Sequence, residues 1–144
     1  IFAVQARLLE RAGAYCWFID VAFADGSLGH LDLIVAMRGD WEEGFQIQGA
    51  GGSVKGKVFL PWFHKASEVE CFSAADGEYR RPLGADAYTY KLQIEGFADS
   101  ILRGSPQLGA TVEDGAAAVR ALAAISRSAE GGGSVRLDEV TGEV

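Results

Sequence analysis

The residues able to do chemistry in this chain are few and scattered. His30 precedes Asp32 by two positions, so on an extended strand both side chains point to one face. A carboxylate beside an imidazole can orient it for proton transfer, which would suit a hydrolase or an isomerase. The same pair also serves as a polar contact at an interface. With no nucleophile, metal set or phosphate cradle beside it, the interface reading is favoured. His64 lies in the aromatic run Pro61-Trp62-Phe63-His64-Lys65, placed to meet a ligand, to meet a partner chain, or to stand at a rim. Cys16 and Cys71 are far apart, each inside an apparent strand. That spacing suits neither a disulfide framework nor a zinc site, so they read as small buried side chains in a reducing, cytoplasmic compartment. Gly49-Ala50-Gly51-Gly52 falls between two strands rather than between a strand and a helix, which makes it a hairpin turn and not a dinucleotide fingerprint. The sequence contains no P-loop, serine elbow or paired histidine–carboxylate metal set. No catalytic, cofactor-binding or metal-ligating residue is therefore assigned within the chain.

The elements that would position these residues change period along the chain. Phe2, Val4, Ala6 and Leu8 alternate with Ala3, Gln5, Arg7 and Leu9, the period of a half-buried strand. A turn at Arg11 to Ala14 leads to a strand at Tyr15 to Phe23. Asp25-Gly26 is a hairpin signal, followed by a return strand at Leu28 to Met37. Strands are predicted at Phe45 to Gln48, Val54 to Leu60 and Glu68 to Ser73, the last closed by Asp76-Gly77. Beyond that point Tyr90, Ile94, Phe97 and Ile101 recur by three and four, which predicts a helix with Asp86 as N-cap and a stop at Gly104 and Pro106. Thr111 caps a second helix, with Glu113 and Asp114 favourable to its dipole. Its alanines, with Val119, Leu122 and Ile125 among them, predict close packing on a neighbour. Gly131 to Gly133 ends this helix, and Ser134 to Leu137 can add an edge strand.

Strands followed by helices predict one α+β domain over residues 1–144. Its mostly antiparallel sheet is open, with helices packed on one face and the other face free. The alternation sends Gln5, Arg7, Asp20, His30, Asp32, Gln46, Gln48, Lys55 and Lys57 to the free face, interleaved with aromatics. Such a face is either solvated or docked on a partner, and a second copy is a common partner. A net charge of −7 disfavours nucleic acid. The longest apolar run, near Leu31 to Met37, is far too short for a membrane helix of about 20 residues. The chain opens at Ile1 directly in an apolar alternation, which reads as a cut inside a longer polypeptide.

Four segments together resemble a known family. They are Phe23-Ala24-Asp25-Gly26-Ser27-Leu28-Gly29-His30-Leu31, then Phe45-Gln46-Ile47-Gln48-Gly49-Ala50-Gly51-Gly52-Ser53-Val54, then Asp86-Ala87-Tyr88 with Gln93 and Phe97, then Thr111 to Ile125 closed by Ser128. In this order they are similar to the C-terminal domain of the glucose–fructose oxidoreductase, inositol dehydrogenase and rhizopine-catabolism family (Gfo/Idh/MocA). The resemblance implies an open antiparallel sheet with helices on one face, and an NAD- or NADP-binding Rossmann domain that precedes this chain. It places the family's catalytic E-K-P and D-x-x-x-H motifs before Ile1. Asp25 to His30 has the wrong spacing for the latter and aligns with the hairpin.

The resemblance also implies a pocket for a sugar, polyol or related hydroxy compound. Trp41 matches the family's pocket aromatic, with Arg38 and Asp40 beside it, Tyr88 near the same cleft, and His64 as a weaker candidate. An indole face stacks on the C–H face of a sugar ring, although a tryptophan can equally anchor a surface turn. The implied partners are a second copy, on the free sheet face, and a small-molecule substrate. The rival expectation is a free-standing, non-catalytic ligand-binding or dimerisation module.

Overall fold

The computed structural model describes residues 1–35, 43–58, 68–82, 88–107 and 109–140. The chain forms two compact units, one from Ile1–Arg38 with Ala110–Val144 and the other from Gly39–Gly109. The fold class is the expected one, α+β with open antiparallel sheets. The strands divide between two four-stranded sheets, ordered β3-β2-β1-β8 and β4-β5-β6-β7, where alternation alone suggested one.

In the first unit, β1 (Ala3–Arg11) turns through Ala12 and Gly13 into β2 (Ala14–Ala22). Both turn residues have positive φ, 52° and 78°, the twist a two-residue hairpin needs. The next turn is built by Asp25, whose carboxylate accepts from the backbone N–H and the hydroxyl of Ser27. Those two bonds hold its pKa below the ordinary carboxylate value. Gly26 sits at φ 86°, and β3 (Leu28–Val35) returns along β2. The Phe23 ring lies over Gly29, where an added Cβ would come within 3.3 Å of the ring.

The helix α2 (Val112–Gly131) crosses one face of this sheet. Its start is a capping box: the Thr111 hydroxyl accepts from the Asp114 N–H while the Asp114 carboxylate accepts from the Thr111 N–H. Its end is Gly132 in the left-handed region at φ 73°. The buried positions of α2 are Ala121, Ala124 and Ser128, spaced by three and four, which bring the helix backbone close to β1. Val4, Ala124 and Val140 form the core, with Val21, Ile125, Val135 and Leu137 packed round them. Val119 and Leu122, expected among the packing residues, are instead exposed.

Ser128 joins helix to sheet. Strand β8 (Val135–Arg136) pairs with β1 only at Ala3 and Val4. Further along, the Ala6 N–H donates to the Ser128 hydroxyl at 2.8 Å, and that hydroxyl donates in turn to the Gly133 carbonyl. A fully buried serine thus takes the place of the next ladder residue.

The second unit holds β4 (Glu43–Gly49), β5 (Gly52–Val58), β6 (Glu68–Ser73), β7 (Glu78–Arg80) and the helix α1 (Thr89–Arg103). β7 is too short to show a period in sequence and was not expected. Gly52 has φ 141°, and a Cβ there would lie 2.0 Å from the Phe72 carbonyl oxygen, so only glycine fits. Gly56 is covered by the ring of Phe45, its cross-strand partner. Asp86 lies outside the described residues; the cap position of α1 falls to Tyr88, and Gly104 ends the helix as expected. Tyr90, Ile94, Phe97 and Ile101 lie on α1 and are exposed.

Replacing Ser128 by Ala leaves the buried Ala6 N–H without its acceptor. Ser128→Ala should lower unfolding free energy by about 1–3 kcal/mol in urea titration. An unchanged midpoint would show that the hydroxyl is dispensable.

Candidate functional site

Register decides which side chains share the open face of the first sheet. Gln5 pairs with Asp20, and Asp20 with His30; Arg7 pairs with Phe18, and Phe18 with Asp32. These six residues form two adjacent cross-strand rows, on the face opposite α2. Gln5, Arg7, Phe18 and Asp20 line a shallow concavity of about 530 Å³.

At the centre of the cluster His30 bridges two carboxylates. Its Nδ1 is 2.7 Å from Asp20 Oδ1 and its Nε2 is 2.8 Å from Asp32 Oδ1. A carboxylate only accepts, so both bonds are made when both ring nitrogens carry protons. The bonds to Asp20 and then Asp32 raise the His30 pKa above its ordinary value. A raised folded-state pKa contributes stability that is complete below the unfolded value near 6.5 and is lost as pH rises through the folded value. The clamp is half exposed, which limits its weight in folding.

This geometry bears on the two readings of His30. When both ring nitrogens are protonated and bonded to Asp20 and Asp32, the ring has no free lone pair with which to act as a general base. Among the described residues no group of three or more His, Cys, Asp or Glu is arranged to hold a metal ion. Asp20 was placed on the face by alternation, but its contact with His30 depends on the strand-to-strand offset. Phe18 was not singled out in sequence; its membership follows from the pairing opposite Arg7.

The remaining candidates distribute as follows. Arg38, Asp40, Trp41 and His64 lie outside the described residues. Tyr88 is exposed at the start of α1. Gln46 and Gln48 lie on β4, in the second sheet, so the face expected from alternation is divided between two sheets. The correction has a simple cause: alternation assigns a face within a strand but not which strands pair. Lys55 and Lys57 likewise lie on β5, opposite Gln46 and Gly44 on one side and Glu70 and Glu68 on the other. Glu70 also receives Arg81, at 2.6 Å.

Gly49–Gly52 is the turn between β4 and β5, and Gly131 to Gly133 is the exit of α2, so neither glycine run opens a helix after a strand. Cys16 and Cys71 are free and half-buried. No described helix is long and apolar enough to cross a membrane.

No protein-family model and no curated protein matches the sequence. Solved structures do match. An aldose-aldose oxidoreductase from Caulobacter crescentus, in complex with glycerol, superposes with a TM-score of 0.75 at 16% identity, over 94% of this chain and 41% of its own. A candidate NADPH-dependent oxidoreductase from Desulfitobacterium hafniense gives 0.79 at 14% identity, over 98% and 43%. The candidate oxidoreductase YvaA from Bacillus subtilis gives 0.65 at 15% identity, over 93% and 45%. The chain has the fold of one part of these oxidoreductases. It spans less than half the length of each.

The His30 ring should titrate by NMR with a midpoint above the ordinary 6.5. Asp20→Asn and Asp32→Asn should each bring that midpoint down. A wild-type midpoint at or below the ordinary value would contradict the clamp.

Proposed function

We propose that this chain is the C-terminal part of an NAD(P)-dependent oxidoreductase of the Gfo/Idh/MocA type, acting on a sugar, polyol or related hydroxy compound. The observation that carries this reading is the superposition of nearly the whole chain on under half of each of three oxidoreductase chains. The motif resemblance in the two hairpins and two helices supports it independently. In this reading the nicotinamide cofactor and the acid–base residues belong to a preceding Rossmann domain. This chain supplies pocket lining and the assembly surface.

The pocket lining would be Trp41, Arg38 and Asp40, with Tyr88 and His64 near the cleft. An indole can stack on a sugar ring while the charged neighbours bond its hydroxyls. The assembly surface would be the open face of the first sheet, with Gln5, Arg7, Asp20, His30 and Asp32. The setting would be the cytoplasm, in keeping with two free cysteines.

The test is made on the whole polypeptide that carries this chain. It should quench NADPH or NADH fluorescence and transfer hydride with an aldose or polyol, and Trp41→Ala should raise KM by about tenfold with a smaller change in kcat. A whole polypeptide that binds neither nucleotide would overturn the reading and leave a non-catalytic binding or dimerisation module.

A further inference from the structure

Phe2 is held from three sides at the point where the backbone enters the first sheet. The β1–β2 and β1–β8 ladders both begin at Ala3, which pairs with Ala22 and with Arg136. Phe2 lies one residue outside them, where backbone frays unless it is tied down. Its N–H nevertheless donates to the Ala22 carbonyl at 2.8 Å, and its carbonyl accepts from the Leu137 N–H at 3.0 Å. Its ring lies beneath the Arg136 guanidinium, whose central carbon is 4.8 Å from the ring centroid. The guanidinium is itself fixed, because one Asp138 oxygen accepts from Nε at 2.9 Å and the other accepts from Nη2. A fork that meets a carboxylate at two points has one preferred orientation, and here that orientation covers the ring.

The core does not require this arrangement. Val4, Ala124 and Val140 form the core, whereas Phe2 is 45% exposed and the Arg136 and Asp138 side chains are half exposed or more. An exposed ion pair adds little to stability. What it supplies is direction. Arg136 and Asp138 belong to the segment after α2, which holds β8 and the short 3-10 helix Leu137–Glu139. That segment is anchored at both ends: the Ser134 hydroxyl donates to the Val4 carbonyl, and the Arg127 guanidinium donates to the Glu139 carbonyl. The path of the backbone into Phe2 is therefore set by residues that come late in the sequence.

We propose that Arg136, oriented by Asp138, is a positioning residue for hydride transfer: it clasps Phe2 and so fixes the angle at which the cofactor-bearing part of the polypeptide meets this chain. The proposal rests on the reading that the chain is the C-terminal part of an NAD(P)-dependent oxidoreductase. In that reading the pocket lining and the nicotinamide lie on different parts, and the reacting atoms must still be held in register. A misplacement of about 1 Å caused far from the chemistry can cost about a hundredfold in rate. Arg136 acts through the entry of the backbone and touches neither substrate nor cofactor. Its loss lowers the rate of the chemical step and leaves nucleotide affinity in place.

Steady-state kinetics and nucleotide fluorescence on the whole polypeptide, with an aldose or polyol as substrate, test this. Arg136→Ala should lower kcat by about tenfold, with KM and nucleotide Kd within about twofold of wild type. Phe2→Leu keeps both backbone bonds, removes the ring and should lower kcat to a similar degree. The double variant should fall no further than either single one, because both break the same contact. Arg136→Lys keeps a cation for the ring without the fork and should recover part of the loss. Arg80→Ala removes an arginine tied in the same way to carboxylates, Asp76 and Glu78, in the second unit, and should leave kcat unchanged. A wild-type kcat in Arg136→Ala, additive losses in the double variant, or an equal loss in Arg80→Ala would overturn the clasp and leave the oxidoreductase reading standing. A whole polypeptide that binds neither nucleotide would overturn that reading and the clasp with it.

Discussion

The hydroxyl of Ser128 is the joint of the first unit. It is fully buried, accepts from Ala6 where the β1–β8 ladder has run out, and donates to the Gly133 carbonyl just beyond α2. A helix carrying Ala121 and Ala124 on the same side can come near enough to the strand for that bond to form. The bond ties the helix to β1, and the helix covers the face on which the alternate side chains Val4 and Ala6 are buried. Everything on the opposite face follows from that choice.

What is left on the opposite face is a row of residues chosen by register. The two-residue turn at Ala12-Gly13 and the Asp25–Ser27 turn set the offsets of β2 and β3. Asp20 therefore falls between Gln5 and His30. A slip of one residue in the β2–β3 hairpin would send Asp20 to the face opposite His30 and Asp32. The clamp is thus a consequence of turn chemistry as much as of His30 itself. Both of its ring nitrogens meet carboxylates on the open face.

Most of the local structure was legible in the sequence because its signals are short-range. Asp25-Gly26, Gly104, Thr111 with Asp114, and Gly131 to Gly133 each act within a few residues, and each ends or starts an element where expected. The motif positions that carried the family resemblance have structural reasons. Gly29 lies under Phe23, Gly52 leaves no space for a side chain, and Ser128 closes the ladder. They mark a fold, and fold is what the matching oxidoreductases share with this chain. What stayed hidden was long-range: the division of the strands into two sheets, the partnership of Asp20 with His30, and the burial of Ala121 and Ala124 in place of Val119 and Leu122. Periodicity fixes a face within one element and is silent about its neighbours.

The central claim is that the helix-covered face holds the fold while the open face meets a second copy. Hydroxyl-radical footprinting at rising protein concentration tests it most directly, because Phe18 marks the open face and Val119 and Leu122 mark exposed positions on α2. Progressive protection of Phe18, with Val119 and Leu122 unchanged, is the result the account predicts. Protection of Val119 and Leu122 with Phe18 still reactive would contradict it.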